Sequence, residues 1–261
     1  AAAAPDPDPG RRMLGLLEGL PVEGFERSFK MGGGLLLADR FLVGIHKSDI
    51  APHALFGICD ALGMPARYRQ DLERHAEAAN ALHFGYEGRD GGGLFKVYLE
   101  FAGRLGVGAS GPVLLHLAYK WACRGDRNGT IAQYVCHPGL GLDVILDRAG
   151  AAYPADEATA SAVRDMLRLA ASRTPEPLMY LEVAEEGTPR ASFDINLHAA
   201  GLRVADVAEA LERVRASYAI PPAEFSPLIG SVSNAPLGHL SGGTSREGGG
   251  FLTVYYASGP A

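Results

Sequence analysis

Apolar and polar side chains alternate along residues 94–103, which read LFKVYLEFAG. One set of alternate positions is apolar and the other is polar: Phe95, Val97, Leu99 and Phe101 against Lys96, Tyr98 and Glu100. A period of two residues is typical of a β-strand with one face against an apolar layer. The segment therefore predicts a strand whose polar face lies either in solvent or around an enclosed space.

This strand belongs to a unit that occurs five times in the chain. In each unit two strand-like runs flank a short polar or Gly-rich turn, of the kind that hairpins favour. The five units cover residues 25–47, 81–101, 113–137, 178–198 and 237–257. Five hairpins predict ten antiparallel strands.

Between the hairpins, apolar residues recur at the i, i+3, i+4 spacing of amphipathic helices. The periodic segments are 52–63, 68–80, 161–172 and 203–218. Their opposite faces carry charged side chains such as Arg164, Arg168 and Glu209. We therefore expect surface helices that cover the apolar faces of the strands.

The polar strand faces then point away from the helices. In the fourth hairpin the side chains expected beneath helices are Met179, Leu181 and Val183 in the first strand and Phe193, Ile195 and Leu197 in the second. The side chains that alternate with them, and that we expect to face inward, are Tyr180, Glu182, Asp194, Asn196 and His198. A shift of one residue would exchange the two faces.

Ten strands favour a closed sheet over an open one. Open, strongly twisted sheets of this size are uncommon, and closure removes both edges. A barrel of ten strands is also wider than the roughly eight-stranded barrel that side chains alone fill. We predict an α+β fold, a ten-stranded antiparallel β-barrel of five αββα-type repeats with helices outside and a solvent-filled lumen.

Composition and charge narrow the function classes. The chain has 261 residues, 47% of them apolar, and a formal net charge of −6. It has no cluster of Lys and Arg of the kind that nucleic-acid binding needs, and no apolar run of membrane-spanning length. We expect a cytoplasmic protein without nucleic-acid or membrane partners, with a flexible leader over residues 1–10 and a single barrel domain over residues 11–261.

Two segments add a resemblance to a known family. Residues 96–98 read KVY on a second hairpin strand, and residues 239–256 read HLSGGTSREGGGFLTVYY. With the five hairpins, these segments resemble the indole-prenylating branch of the ABBA-type aromatic prenyltransferases, whose barrels hold the active site in the lumen. The resemblance runs over residues 11–257 and is mainly architectural.

The resemblance implies transfer of an allylic prenyl group from its diphosphate to an aromatic acceptor, an indole or a phenol, in a small molecule or peptide of secondary metabolism. It implies no cofactor and no metal site, with Mg²⁺ permitted but not required. The side chains expected to hold the diphosphate are Lys96, Tyr98, Lys120, Arg40 and Tyr255. The candidate catalytic carboxylates are Glu100, Glu182 and Asp194. Further side chains expected in the lumen are Tyr180, His116, Asn196, His198 and His239.

Two departures from the family pattern keep a second function open. Most second strands supply few Lys or Arg residues, so we expect two or three cations in the lumen, and the link 102–112 is too short for a helix pair. The alternative is small-molecule binding, or a non-prenyl and metal-dependent reaction, in the same lumen. Its candidate ligands, if they converge, are His116, His198 and His239 with Asp194 or Glu182.

Overall fold

The computed structural model describes residues 8–89, 92–106, 111–124 and 129–257. Its strands are β1 (Gly24–Gly32), β2 (Leu35–Leu37), β3 (Arg40–His46), β4 (Ala81–Arg89), β5 (Gly92–Glu100), β6 (Val113–Ala122), β7 (Gly129–Cys136), β8 (Met179–Glu185), β9 (Ala191–Asn196), β10 (Leu237–Thr244) and β11 (Gly250–Ala257). Its α-helices are α1 (Pro9–Leu17), α2 (Pro52–Ala61), α3 (Ala66–Ala76), α4 (Leu142–Ala151), α5 (Glu157–Arg173), α6 (Ala208–Ser217) and α7 (Pro222–Val232).

The strands form one closed antiparallel barrel. From β3 to β11 each strand pairs with the next one in sequence, and β1 pairs with both β3 and β11. In the closing ladder Ser28 lies opposite Tyr255 and Lys30 opposite Thr253. The short β2 pairs only with the end of β1. The predicted ten-stranded barrel is therefore confirmed, with β2 as an addition to it.

Apolar side chains on the outer faces of the strands pack beneath the helices in two clusters. One cluster joins α1, α2 and α3 to β3–β6 and includes Leu72, Val97 and Leu117. The other joins α4–α7 to β1 and β8–β11 and includes Phe193 and Leu240. Because these faces are apolar, the alternate side chains of most strands are left to line the lumen. Among the described residues, no helix combines the length and apolarity of a membrane crossing.

Four of the helices fall on the predicted periodic segments, whereas α1, α4 and α7 do not. Helix α7 contains Pro227, which removes a backbone donor and normally indicates the end of a helix. Helix α1 begins at Pro9, where the Asp8 carboxylate accepts a hydrogen bond from the backbone N–H of Gly10 (3.0 Å). The predicted leader 1–10 thus overlaps a helix at residues 9 and 10, and residues 1–7 lie outside the described residues.

The helical coat is interrupted over β7 and β8. The described part of the link between β5 and β6 contains a single 3₁₀ turn, Ala102–Leu105, and residues 107–110 lie outside the description. On the outer faces of β7 and β8, Gln133, Glu182 and Ala184 are exposed. A strip of the barrel wall consequently faces solvent directly.

The same substitution, Leu→Ala, should affect the free energy of unfolding differently in the outer core and at the exposed edge strand. Leu240 is fully buried beneath the helices, and Leu35 on β2 is 61% exposed. We expect Leu240→Ala to lower the free energy of unfolding by about 2–5 kcal/mol, because it leaves a cavity. Leu35→Ala, the matched control, should change it by less than about 0.5 kcal/mol. Urea unfolding measures both values, and similar losses in the two variants would contradict the assigned faces.

Candidate active site

The lumen contains a large cavity at one end of the barrel. We call this end the open end; it is where β1 begins and β11 ends, opposite the hairpin turns. The cavity, here called the chamber, has a volume of about 1400 Å³. Polar side chains on its wall include Glu26, His83, Glu100, His116, Asp194 and His239. A chamber of this size has room for two organic molecules at once.

Three tyrosines line the part of the chamber nearest the hairpin turns. Tyr98 donates a hydrogen bond to the hydroxyl of Tyr134, and their ring centroids are 5.7 Å apart at an angle of 64°. Tyr255 lies across the barrel beside His239. Burial, reinforced by the neighbouring tyrosines, raises the pKa of Tyr98 well above its ordinary value. The phenols therefore stay protonated and can donate hydrogen bonds.

Beyond the tyrosines, towards the hairpin turns, cationic side chains gather around two buried carboxylates. We call this group the cationic zone; its members are Lys30, Arg40, Arg89, Lys96, Lys120, Arg190 and Arg246. The Glu87 carboxylate accepts hydrogen bonds from Lys96 Nζ (2.7 Å) and from the Arg89 guanidinium (2.6 Å), and it also forms an ion pair with Arg40. Each of these contacts is a charge-assisted hydrogen bond or ion pair in a largely dry environment.

The second carboxylate, Glu185, has three cationic partners of its own. Lys120 Nζ lies 2.6 Å from one of its oxygens, Arg190 lies 2.7 Å away and Arg246 lies 3.1 Å away. Although burial opposes it, the charge of Lys120 lowers the pKa of Glu185 to about 2. The carboxylate is therefore ionised at neutral pH, and its charge is shared among three cations.

The cationic zone carries more positive than negative charge. Seven cationic side chains lie around two buried carboxylates and one exposed carboxylate, Glu247. Lys30 contacts the Phe251 ring (4.6 Å) and has no carboxylate in ion-pair contact in the described ranges. Burial lowers the pKa of Lys96 to about 7 and that of Lys30 to about 8, and the neighbouring Arg40 contributes in the same direction. Uncompensated buried charge is costly, so a bound polyanion would stabilise this zone.

Histidines and carboxylates gather at the opposite, open end. His83 Nε2 lies 2.7 Å from a Glu100 oxygen, and this hydrogen bond lowers the pKa of Glu100 against the effect of burial. Burial, helped by the charge of His83, lowers the pKa of His116 to about 4, so this imidazole is neutral. Glu100 is thus an ionised carboxylate that faces the chamber, as a proton acceptor must be.

A second group at the open end contains Glu26, Asp194, His198 and His239. His239 Nδ1 lies 3.0 Å from Asp194, and His198 Nε2 lies 3.1 Å from Glu26. Burial alone would lower the pKa of His239, but its hydrogen bond to Asp194 raises it. The lumen thus separates its charges, with cations at the turn end and carboxylates with imidazoles at the open end.

One side of the lumen is apolar. Leu115, Leu181, Val183, Ala118 and Ala132 pack together with Tyr98 and Tyr134. Leu115 and Leu181 also line the chamber itself. This apolar wall lies opposite the side that carries Glu26 and the closing strands.

Most of the predicted lumen residues do face inward. Those on the inner faces of their strands are Arg40, Lys96, Tyr98, Glu100, His116, Lys120, Asp194, Asn196, His239 and Tyr255. His198 lies just beyond β9 and lines the chamber at its open end. Asn196 positions it by accepting a hydrogen bond from its backbone N–H (3.0 Å).

The prediction was wrong for Tyr180 and Glu182. β8 pairs with β9 so that Leu181 lies opposite Asp194, which turns the apolar residues of β8 inward. Tyr180 packs outside against His137, and Glu182, with its side chain 58% exposed, binds the same imidazole at 3.1 Å. For Glu182 the physical reason is the gap in the helical coat, because an outer face in contact with water favours polar residues. Tyr180 is instead buried in the outer core beneath the helices. Glu182 can be neither a base nor a metal ligand in the lumen.

The expected two or three cations were also too few. Lys30 lies on the inner face of β1, a strand for which no inner face was predicted. Arg190 lies in a hairpin turn, where the alternation of strand faces does not apply. Arg246 belongs to the glycine-rich turn between β10 and β11 and reaches Glu185 from there. Glu87, Glu185 and Tyr134 were missed as well. On β4, Glu87 shares its face with His83, and this parity would have indicated it. On β8 no charge pattern indicates Glu185, because the residues that share its face, Leu181 and Val183, are apolar.

Solved structures of similar architecture are aromatic prenyltransferases. The 5-dimethylallyltryptophan synthase from Streptomyces coelicolor superposes with a TM-score of 0.58 and 16% identity, over 90% of this chain and 81% of that one. The chain has the fold of the ABBA-type aromatic prenyltransferases. AnaPT from Neosartorya fischeri gives a TM-score of 0.53 and 13% identity, over 89% of this chain and 77% of that one.

A third ABBA barrel was solved with ligands in place. The 6-dimethylallyltryptophan synthase from Micromonospora olivasterospora, in complex with DMASPP and Trp, gives a TM-score of 0.57 and 17% identity, over 97% of this chain and 92% of that one. No protein-family model and no curated protein sequence matches the chain. At these identities the ABBA likeness is one of fold, and the chemistry has to be argued from the lumen.

The depressed pKa values of the two lysines predict pH-dependent anion binding. Inorganic diphosphate should bind most tightly where Lys96 and Lys30 are protonated, below pH values of about 7 and 8. As pH rises above these values the affinity should fall by up to roughly tenfold per pH unit for each of the two lysines, because binding must then take up one proton for each deprotonated lysine. Isothermal titration calorimetry in buffers of different ionisation enthalpy measures both affinity and proton uptake.

The control for this titration is Lys47→Ala, which removes a lysine outside the lumen. It should keep the pH dependence, whereas Lys96→Ala should remove the step near pH 7. The protonation of free diphosphate is corrected from its own titration in the same buffers. Affinity that stays constant or rises over this range, after that correction, would contradict the assignment.

Proposed function

We propose that the chain transfers an allylic prenyl group from its diphosphate to an aromatic acceptor inside the barrel. The observation that carries this proposal is the excess of buried cations beside a layer of tyrosines at the floor of a large chamber. A leaving diphosphate needs cationic and phenolic donors, and an allylic cation needs aromatic faces and the exclusion of water. Hydrolysis of the cation is the competing reaction that a closed barrel suppresses.

The donor would lie with its diphosphate at the cationic zone and its prenyl group in the chamber. Lys96, Lys120 and Arg40 would contact the diphosphate oxygens, in part by displacing the contacts they now make with Glu87 and Glu185. The bond between the allylic carbon and oxygen breaks, and its electron pair leaves with the diphosphate. Positive charge that already surrounds the oxygens stabilises the negative charge that develops on them.

The tyrosine layer would separate the allylic cation from water. The rings of Tyr98, Tyr134 and Tyr255 can face the cation, and the hydroxyl groups of the tyrosines can donate to the diphosphate. Such ring-to-cation contacts contribute about 2 kcal/mol where water is excluded. The apolar wall of Leu115, Leu181 and Val183 would accommodate the hydrocarbon part of the donor.

The acceptor would bind in the chamber between this layer and the open end. A carbon or nitrogen of its aromatic ring forms the new bond to the allylic carbon, and the ring then loses a proton. Glu100 would orient an N–H or O–H of the acceptor and receive that proton, because its hydrogen bond with His83 favours the ionised carboxylate within the chamber. A weak base suffices, since the protonated ring intermediate is a strong acid.

The proposal includes an indole or phenol acceptor, free or within a peptide, and a cytoplasmic role in secondary metabolism. Among the solved ABBA barrels, NotF was crystallised in complex with brevianamide F and DMSPP. The proposed transfer needs no cofactor, because the seven cations outnumber the carboxylates beside them and leave positive charge for a diphosphate; Mg²⁺ is compatible with it but not required.

Two carboxylate variants test the proposal with matched chemistry. In an assay with dimethylallyl or geranyl diphosphate and a panel of indoles and phenols, mass spectrometry should detect prenylated acceptor and released diphosphate. Glu100→Gln should lower kcat/KM by on the order of 100-fold, the scale expected for loss of a positioned base. Glu182→Gln, the same change on the outside of the barrel, should leave it unchanged.

Equal loss in both variants would show that the effect is structural. Binding of the diphosphates without turnover of any acceptor would instead support the alternative of a small-molecule binding barrel. Absence of both binding and turnover, in protein that is folded by circular dichroism, would contradict the proposal itself.

A further inference from the structure

Three potential ligand atoms converge at the open end of the lumen. They belong to Glu26 on β1, His198 just after β9, and His239 on β10, and all lie within 4.8 Å of one another. His198 Nε2 is 3.1 Å and His239 Nε2 is 4.0 Å from the same oxygen of Glu26. Barrel closure brings them together, because β9, β10, β11 and β1 are successive neighbours in the sheet.

The imidazole of His239 is held in one orientation by a further carboxylate. Asp194 lies 3.0 Å from Nδ1 of His239, and an ionised carboxylate can only accept. Nδ1 therefore carries a proton, and Nε2 is the ring nitrogen that faces Glu26. A carboxylate behind a histidine is the outer-shell arrangement that orients metal-binding imidazoles and increases their basicity.

A hydrogen-bond network accounts for only part of this geometry. His198 can donate to Glu26, but His239 Nε2 lies 4.0 Å from that oxygen, which is beyond hydrogen-bond range. Two imidazole nitrogens and a carboxylate oxygen at about 2.0–2.1 Å from a tetrahedral zinc ion lie roughly 3.3 Å from each other. The two separations from the Glu26 oxygen, 3.1 and 4.0 Å, bracket this value, and the ligand atoms of the two imidazoles lie within 4.8 Å of each other.

We propose that Glu26, His198 and His239 bind one divalent transition-metal ion, with an open coordination position that faces the chamber. Two histidines and one carboxylate are a ligand set that zinc accepts with a fourth position left for water or substrate. All three residues line the chamber, and His198 is partly open to solvent, which gives an ion a path of entry. This proposal does not depend on prenyl transfer.

A second group of similar composition serves as the comparison. His83, Glu100 and His116 also place ligand atoms within 4.8 Å of one another. There His83 and Glu100 are already joined by a 2.7 Å hydrogen bond, and Nδ1 of His116 is buried with no partner among the described residues. Within the described ranges no outer carboxylate holds Nδ1 of His116, so we assign the ion to the first group.

Cobalt and zinc titrations of the tag-free, chelator-stripped full chain test the site. We expect one Co²⁺ ion per chain with visible d–d absorption, displaced by one equivalent of Zn²⁺. His198→Ala, at a partly exposed position, should weaken binding at least about 100-fold, as should His239→Ala. Asp194→Asn should weaken it by about 10–100-fold, the effect of losing an outer-shell partner.

The matched control is His116→Ala, which removes a histidine from the comparison group and should leave Co²⁺ affinity unchanged. Circular dichroism confirms that each variant is folded; should His239→Ala fail to fold, His198→Ala decides the outcome. Absence of stoichiometric Co²⁺ binding, or binding that survives His198→Ala, would overturn the proposal. Loss of binding in His116→Ala alone would assign the ion to the other group and would equally overturn it.

Discussion

Pairing of the first and last strands of the barrel is the constraint on which the rest of the structure depends. The ladder between β1 and β11 removes both sheet edges and places Glu26, Ser28 and Lys30 beside Tyr255 and its neighbours. Without it, charged side chains that now face one another across a lumen would lie along an open sheet in water. The group of Glu26 on β1 with His198 after β9 and His239 on β10 has members that only this closure brings together.

Closure also explains how a chain of net charge −6 can hold a strongly positive interior. The cationic zone draws its members from five of the ten strands and from two hairpin turns, so no segment of the sequence is conspicuously basic. Two carboxylates, Glu87 and Glu185, are each shared by three cations, which reduces the cost of burial without cancelling the charge. The open end carries carboxylates and imidazoles instead, so the charge of the lumen changes along the barrel axis from positive at the hairpin turns to negative at the open end.

The fold could be predicted from the sequence because its pattern is local and repeated. The same architecture is indicated by the polar–apolar alternation along β5 and β9, by the residues of the hairpin turns and by the apolar stripes of the helices. The inner face of β5 followed from this alternation alone. Parity failed on β8, where Leu181 faces the lumen and Glu182 faces water, since the missing helical cover reverses what each face prefers. Arg190 and Arg246 lie in turns, where strand parity predicts no face. The convergence of His198 with His239 and Glu26 depends on closure, which no local pattern encodes.

The same reversal on β8 gives the lumen unlike sides, one made by Leu181, Val183 and their apolar neighbours and the other by ionised groups. A flat heterocyclic acceptor with one apolar edge would then bind in one preferred orientation about the barrel axis, with that edge against the apolar wall. Under the proposed chemistry, this difference between the two walls would set which ring atom of the acceptor faces the allylic carbon, and so the regioselectivity, before the new bond forms. A barrel with uniformly polar walls would leave the ring free to turn and would be expected to yield mixed products.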